Sequence, residues 1–198
     1  MEEKNEFLEK TLELFIENGA KALTMDDIAK AFAMSKKTLY EQYGNKEGLL
    51  KQVLDYKSYQ IIASIKAMGK KASNAIEALL LKDECIAQAS HEKKSIFIRQ
   101  LIKYYPNTFN EHILGVSKRI NEILVQNVKA GREQGLFRAD FDEKWYAKLF
   151  FQLIMSYEST PFIDTHKINK SDYSDEVMLF YLHAITTEKG KEILKNYK

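Results

Sequence analysis

A short stretch near the N-terminus, SKKTLYEQYGNK, groups lysine, hydroxyl and amide side chains between Ser35 and Lys46. Ammonium groups can donate to guanine acceptors or to phosphate oxygens, and hydroxyls and amides can donate to phosphate oxygens. Lys46 follows Asn45, a residue suited to begin a helix, so it would lie beside free backbone N–H groups that favour an anion. These residue types at this spacing predict a surface that contacts nucleic acid.

The helices that would position this surface are marked by residues typical of helix ends. Gly19 is suited to the left-handed conformation that follows a first helix. Thr24 is expected to begin a second helix, and Asp27 would complete a capping box with it. Ser35 would begin a third helix, and Asn45 a fourth and longer one. Three short helices, with a tight turn before the third, predict a helix-turn-helix.

Helical geometry of about 100° per residue assigns the side chains of the third helix to different faces. Leu39 and Tyr43 fall on one side, which we expect to face the core. The outward set is Lys37, Thr38 and Glu41, and the flanking set is Lys36, Tyr40 and Gln42. The outward and flanking sets would therefore be available to a groove of the DNA.

Charge is distributed unevenly over this part of the chain, although the net charge of the protein is only +2. Residues 1–29 carry three lysines and eight acidic residues, and residues 30–71 carry nine lysines and three acidic residues. A basic segment beside an acidic one could form a phosphate-facing surface. The pattern alone is also compatible with charges scattered over solvated helix faces.

Composition indicates a globular protein, because 45% of the 198 residues are hydrophobic and 29% are charged. The single cysteine, Cys85, excludes an internal disulfide and fits a reducing compartment. No apolar run approaches the roughly 20 residues of a membrane span, and the acidic N-terminus is unlike a signal peptide. We therefore expect a soluble, cytoplasmic protein that does not bind membranes.

Helical periodicity also dominates the rest of the chain, without a convincing alternating strand. After the fourth helix we predict helices near residues 74–90, 92–104, 108–114, 116–134, 142–160, 173–187 and 188–196. Breaks are expected at Tyr105-Pro106, at GLFRADFD from Gly135, and at TPFIDTHKINKSD from Thr160. The predicted fold class is all-α, with an N-terminal three-helix helix-turn-helix domain over residues 1–46 and a larger helical domain over residues 47–198.

The segment LTMDDIAKAFAMSKKTLYEQYGNKEGLLKQVL, residues 23–54, resembles the DNA-binding domain of the TetR/AcrR family of bacterial regulators. The family pattern of a capping threonine, DIA, S-x-x-T-L-Y and N-K-E-x-L stands here in register. The match covers about residues 5–55, and several independent positions agree. The remaining residues resemble the family in architecture only.

The resemblance implies roles for individual side chains of this segment. It makes Lys36 and Lys37 readers of bases or phosphates, and Lys46 a phosphate anchor at a helix start. Thr38, Tyr40 and Gln42 become contacts to the DNA backbone, and Thr24 becomes a cap that also touches phosphate.

Two residues depart from the family pattern. Ala33 stands in the turn where the family usually has glycine, which costs up to ~1 kcal/mol if the position keeps a positive φ. Met25 stands where some relatives have a polar base reader, so base contact from the second helix is not expected.

No arrangement of residues predicts catalysis, a metal site or a cofactor. The four histidines, His91, His112, His166 and His183, are far apart and lack ligand spacing. Cys85 has no second cysteine to pair with, and we expect it in the core. Motifs for a nucleophile elbow, a phosphate loop or a zinc protease are also missing from the sequence. We therefore expect a protein that is not an enzyme.

The aromatic side chains of the larger domain could line a cavity for a small-molecule effector or form plain core. The candidates for effector binding are Tyr59, Phe97, Tyr104, Phe109, Phe151 and Tyr157. The resemblance implies such a cavity, while helical spacing alone favours a core role for most of these residues.

Taken with the resemblance, the residues predict a ligand-responsive, homodimeric transcriptional regulator, a repressor, that binds a near-palindromic operator. The larger domain would bind the effector and dimerise mainly through the two apolar helices within residues 142–187, and charged residues in place of Phe150 and Phe180 should give monomers or insoluble protein. Two alternatives remain: an all-helical enzyme or small-molecule carrier that shares the head, and a protein-interaction adaptor with a DNA-binding head.

Overall fold

The computed structural model describes residues 2–82, 92–165 and 167–197. Within these ranges the chain forms ten α-helices and no strand. The first five are α1 Glu2–Asn18, α2 Met25–Ala31, α3 Lys36–Tyr43, α4 Lys46–Lys71 and α5 Ala75–Leu80. The others are α6 Glu92–Tyr104, α7 Pro106–Glu133, α8 Glu143–Ser159, α9 Lys170–Ile185 and α10 Glu188–Leu194, followed by a 3₁₀ turn at Lys195–Tyr197.

The described residues divide into two compact units. The head unit comprises residues 2–61 and 92–115, and the body unit comprises residues 62–82, 116–165 and 167–197. Helices α4 and α7 each run through both units. A functional boundary at residue 46 stays a prediction.

The ends of the first three helices are fixed by the residues that the sequence predicted. Gly19 follows α1 with a φ of 84°. Thr24 and Asp27 form the expected capping box, in which the Asp27 N–H donates to Thr24 Oγ1 at 3.1 Å and the Thr24 N–H donates to Asp27 Oδ2 at 3.0 Å. The Ser35 hydroxyl accepts from the Thr38 N–H at 3.0 Å and begins α3. Local hydrogen bonds therefore set the lengths of α2 and α3.

An apolar core holds α1, α2 and α3 together in the head unit. Ile28 of α2 and Leu39 of α3 are fully buried, as predicted for their inner faces. The ring of Phe7 lies 4.5 Å from that of Phe32 and 5.3 Å from that of Tyr43, measured between centroids. These contacts fix the face that α3 buries and, because side chains follow the helix turn, the face that it exposes.

Helix α6 joins the same unit by packing against α1. The rings of Phe15 and Phe97 lie 6.3 Å apart and are both buried. Beside them, the N–H of Ala20 donates to Oε1 of Gln100 at 2.7 Å, and the hydroxyl of Tyr105 donates to the carbonyl oxygen of Ala20 at 3.2 Å. Both backbone groups of Ala20 are therefore held by side chains of α6 and of the residue that follows it.

In the body unit, α8 packs against α9 around a core that includes Leu182 and Ile185. Phe150 is only 8% exposed, and its ring lies 4.8 Å from that of Tyr181. Phe150 therefore fills the core of its own subunit, so a charged residue there would disturb the fold of that subunit, and the dimer contact stays a prediction. Phe180 is 66% exposed and remains available for a contact with a second subunit.

The predicted break from Gly135 is a turn held by one arginine. Gly135 has a φ of 71°. The Arg132 guanidinium donates to the carbonyl oxygens of Arg138 and Phe141 at 3.0 and 2.6 Å, and to Glu143 Oε2 at 2.9 Å. One fixed fork of donors thus closes the connection between α7 and α8.

Four predicted helices differ from the structure. The helices expected over 108–114 and 116–134 are one helix, α7, because Gly115 weakens a helix interior by only ~1 kcal/mol and does not end it. Helix α9 begins earlier than predicted, since Asn169 Oδ1 accepts from the Asp172 N–H at 2.9 Å. The helix expected over 74–90 ends at Leu80, and residues 83–90 lie outside the described residues. None of the described helices has the length and apolar character of a membrane span.

Candidate nucleic-acid interface

Helix α3 presents the polar face that the sequence predicted. Leu39 and Tyr43 are buried, whereas Thr38 is half-buried on the opposite side. The exposed side chains of α3 are Lys36, Lys37, Tyr40, Glu41 and Gln42. A helix of eight residues with one buried stripe has the size and polarity to enter a major groove.

The two lysines of α3, Lys36 and Lys37, both lie beside carboxylates. Lys36 Nζ forms an ion pair and hydrogen bond with Asp26 at the start of α2. Lys37 Nζ lies 3.9 Å from Glu41 Oε1, and the Lys37 side chain is 85% exposed. Exposed pairs of this kind contribute little to stability, so both ammonium groups can exchange a carboxylate for an anion of a ligand.

The two threonines of the candidate set stabilise helix starts. The Thr24 hydroxyl donates to Asp27 Oδ2 at 2.6 Å, and with the Thr24 N–H it holds the pKa of that carboxyl below its usual value. Thr38 Oγ1 lies 2.8 Å from Ser35 Oγ, within the cap of α3. Contacts from Thr24 or Thr38 to phosphate stay a prediction, and these bonds fix where the hydroxyls are.

Lys46 lies on the first turn of α4, and its side chain runs along the loop between α1 and α2. Its Nζ donates to the carbonyl oxygen of Lys21 at 3.0 Å and lies 5.7 Å from the centroid of the Tyr105 ring. Asn45 Oδ1 accepts from the Gly48 N–H at 2.9 Å, so the helix start is capped as predicted. To anchor a phosphate, the Lys46 ammonium group would exchange its bond to a neutral carbonyl for one to an anion.

The departures at Ala33 and Met25 have structural consequences. Ala33 has a φ of 50°, so the turn keeps the left-handed conformation that favours glycine. Met25 is buried, and its side chain therefore belongs to the core of the head unit. The expectation that α2 offers no base reader at this position agrees with that burial.

The six aromatic candidates for effector binding lie in different environments. In the head unit, Phe97 and Phe109 are buried, whereas Tyr59 and Tyr104 are 69% and 39% exposed. In the body unit, Phe151 is half-buried, and the hydroxyl of the buried Tyr157 donates to the carbonyl oxygen of Ile168 at 2.8 Å. An effector site that uses these residues stays a prediction.

Two lysines without a predicted role, Lys21 and Lys103, lie beside the ring of Tyr104 in the head unit. The Nζ atoms of Lys21 and Lys103 are 4.7 and 5.2 Å from the centroid of the Tyr104 ring. Because Lys21 lies far from Tyr104 in the sequence, local periodicity carries no signal for this grouping.

Within the described ranges, no group of three or more His, Cys, Asp or Glu side chains could hold a metal ion. His112 Nδ1 lies 3.0 Å from Asp55 Oδ1 in the head unit. His183 is exposed on α9. Cys85, His91 and His166 lie outside the described residues.

Comparison with known proteins shows that this chain is similar in sequence to transcriptional regulators. The family model described as bacterial regulatory proteins, tetR family, matches residues 7–53. The HTH-type transcriptional repressor KstR2 of Rhodococcus jostii is 26% identical over 145 residues, which cover 70% of each chain. The negative transcriptional regulator IcaR of the biofilm operon icaADBC in Staphylococcus aureus is 24% identical over 161 residues, which cover 75% of this chain and 84% of IcaR.

Solved structures share the fold over most of the chain. The transcriptional regulator FadR of Bacillus subtilis, in complex with stearoyl-CoA, gives a TM-score of 0.70 at 20% identity and covers 89% of this chain and 96% of its own. The ketosteroid transcriptional regulator KstR2 of Mycobacterium tuberculosis gives a TM-score of 0.55 at 20% identity, covering 92% and 94%. The predicted all-α fold with an N-terminal helix-turn-helix is confirmed.

Proposed function

Because the chain is a member of the tetR family of bacterial regulatory proteins, we propose that it is a transcriptional repressor that binds operator DNA through α3. The observation that carries the proposal is the exposed polar face of α3, held between the Ser35 cap and the buried Leu39 and Tyr43. This face lies within the residues that match the family model. A regulator of this kind acts on DNA in the cytoplasm.

In the proposed complex, α3 lies in the major groove and its neighbours hold the backbone. The Lys37 side chain is 85% exposed, against 60% for that of Lys36, and donates to guanine O6 or N7 with Lys36 beside it. Lys46 donates to a phosphate at the start of α4, where backbone N–H groups and the helix dipole favour an anion. Backbone contacts come from Thr24, Thr38, Tyr40 and Gln42.

A homodimer would place two copies of α3 about one helical turn of DNA (~34 Å) apart, or a little more, on a near-palindromic site. The exposed apolar side chains of α8 and α9 support an isologous contact in the body unit. Trp145, Leu149 and Phe180 are 63%, 54% and 66% exposed. Large apolar groups of this kind on two neighbouring helices are typical of a surface that a second subunit covers.

The proposed repressor responds to a small molecule bound by its larger helical domain. The Bacillus subtilis relative is described in complex with stearoyl-CoA, and the Mycobacterium tuberculosis relative as a ketosteroid regulator, so both names refer to compounds with a large apolar part. Such an effector releases DNA only if it binds the non-DNA-binding conformation more tightly than the other.

Selection of bound duplexes from a random DNA pool tests the proposal. We expect enrichment of one near-palindromic sequence whose half-sites are separated by about one helical turn or slightly more. Recovery of no preferred sequence would contradict the proposal. In that case, a small molecule that co-purifies with the protein would favour an all-helical carrier or enzyme. A co-purifying protein would favour an adaptor.

A further inference from the structure

Three lysines and two tyrosines of the head unit form a surface that we call the lysine–tyrosine patch: Lys21, Lys46, Lys103, Tyr104 and Tyr105. Lys21 belongs to the loop between α1 and α2, Lys46 to the first turn of α4, and the other three to the end of α6 and the residue after it. The Tyr105 hydroxyl joins the end of α6 to the loop between α1 and α2 by donating to the carbonyl oxygen of Ala20 at 3.2 Å. The patch is therefore built from three parts of the chain.

Aromatic rings hold the ammonium groups of the patch in place. The Nζ atoms of Lys21 and Lys103 both lie within 5.2 Å of the Tyr104 ring centroid, and Lys46 Nζ lies 5.7 Å from that of Tyr105. Lys46 Nζ also donates to the carbonyl oxygen of Lys21 at 3.0 Å. Cations over aromatic faces keep their charge and lose part of their conformational freedom before any ligand arrives.

The positive charge of the patch is not paired within the described part of the chain, where no carboxylate lies within salt-bridge distance of Lys21, Lys46 or Lys103. The carboxylate of Asp27 feels the charge of Lys46, but its oxygen is engaged in the cap of α2. Three unpaired cations held near each other favour a ligand with several regularly spaced negative charges.

We propose that the lysine–tyrosine patch binds DNA phosphates beside those contacted through α3, so that the phosphate contacts of the head unit extend to the end of α6. This inference rests on the proposed function. Lys46 supports DNA as the ligand, because this residue belongs both to the patch and to the helix start that follows α3. A DNA strand offers a phosphate every ~3.4 Å along its axis, which allows several lysines to be neutralised together.

Salt dependence of binding tests the proposal. Each phosphate contact contributes about 0.9 units to the slope of log K against log salt concentration. We expect the double variant Lys21→Gln/Lys103→Gln to lower the magnitude of this slope by about one to two units, equally for the selected operator and for a scrambled duplex. Lys66→Gln/Lys70→Gln is the matched control, because it removes the same charge from exposed positions further along α4.

Two outcomes overturn the inference. One is an unchanged slope for Lys21→Gln/Lys103→Gln, and the other is a change no larger than that of the Lys66→Gln/Lys70→Gln control. The proposed function fails separately, if the wild-type protein selects no sequence while the two double variants still differ in slope on the scrambled duplex. Absence of any DNA binding by the wild-type protein contradicts both.

A second pair of variants tests the role of the aromatic ring. Tyr104→Phe keeps the face that the two ammonium groups contact, and we expect its affinity for the operator to equal that of the wild type. Tyr104→Leu removes this face and should weaken operator binding several-fold. Equal affinities of the two variants would show that the ring does not position the lysines.

Discussion

Ala33 shows how a single backbone angle limits the stability of the head unit. Its φ of 50° makes it the non-glycine residue with a positive φ among the described residues. A Cβ atom in this conformation is crowded by the backbone, at a net cost of up to ~1 kcal/mol relative to glycine. The turn between α2 and α3 requires the conformation, because Met34 must donate its N–H to the carbonyl oxygen of Ala29 at 3.0 Å.

We expect Ala33→Gly to raise the free energy of unfolding by several tenths to ~1 kcal/mol, since relief of the crowding exceeds the entropy that glycine adds to the unfolded chain. Ala67→Gly, at an exposed position of α4, is the matched control and should lower the free energy of unfolding by ~1 kcal/mol. Urea unfolding measures both. Clear destabilisation by Ala33→Gly would mean that the crowding at this position is negligible.

Lys37 and Lys46 should differ in what their loss does to DNA binding. Lys37→Ala should weaken the best operator by ~1–3 kcal/mol, weaken random DNA less, and relax the choice at one base pair of each half-site. Lys46→Gln should weaken operator and random DNA alike and lower the magnitude of the salt slope by about one unit. Affinities for operator and scrambled duplex across a salt series measure both effects.

Equal losses for both duplexes with both variants would make Lys37 another phosphate contact. Base choice would then come from Lys36, from Glu41 or from the shape of the DNA.

At the scale of elements, the helix ends that depend on neighbouring residues could be predicted from the sequence, and contacts between distant segments could not. Thr24, Ser35 and Asn45 cap α2, α3 and α4 as expected, because each cap is a hydrogen bond to a residue three positions away. The approach of Lys21 to Tyr104 depends on how α1 and α6 pack, which the local pattern does not contain.

The cap of α8 gives a pH-dependent prediction. Asp142 Oδ1 accepts from the N–H groups of Trp145 and Lys144 at 3.0 and 2.8 Å, and the bond from Trp145 is the main cause that lowers the pKa of this carboxyl from 3.8. A pKa lowered in the folded state stabilises the protein above the unfolded value, and this contribution is lost as pH falls through the folded value.

Asp142→Asn should therefore reduce the loss of stability below about pH 4, because asparagine keeps the acceptor oxygen and does not titrate. Urea unfolding at about pH 7 and about pH 3 measures the difference between the two proteins. Asp142→Ala, which also removes the acceptor, should destabilise the protein at both pH values. An unchanged acid response of Asp142→Asn would contradict the prediction.

At the scale of the whole molecule, the proposed operator binding requires a dimer that presents two copies of α3. The body unit exposes Leu149 on α8 and Phe180 on α9, whereas Phe150 is enclosed among its own helices. Sequence periodicity could identify both helices as apolar but could not separate the side chains that face inward from those that face out, because both helices carry apolar residues on more than one face.

We expect Leu149→Glu/Phe180→Glu to convert the proposed dimer into folded monomers, since two new charges in each subunit would be buried against a partner. Size-exclusion chromatography with light scattering measures the mass, and circular dichroism checks the fold. Phe162→Glu is the control, because Phe162 is 93% exposed in the connection between α8 and α9. A double variant that remains dimeric would place the subunit contact elsewhere.

The two hydrogen bonds to Ala20 affect how hybrid regulators can be assembled from parts. A graft that transfers residues 1–46 onto a foreign scaffold would bring Ala20 without Gln100 and Tyr105, leaving its N–H and carbonyl groups to whatever the new host supplies. The unit to be transferred is therefore discontinuous in the sequence, because residues 92–115 must be transferred together with the N-terminal helices. A single crossover separates Ala20 from the 92–115 segment. Three crossovers, which transfer both segments of the head unit, keep the two hydrogen bonds.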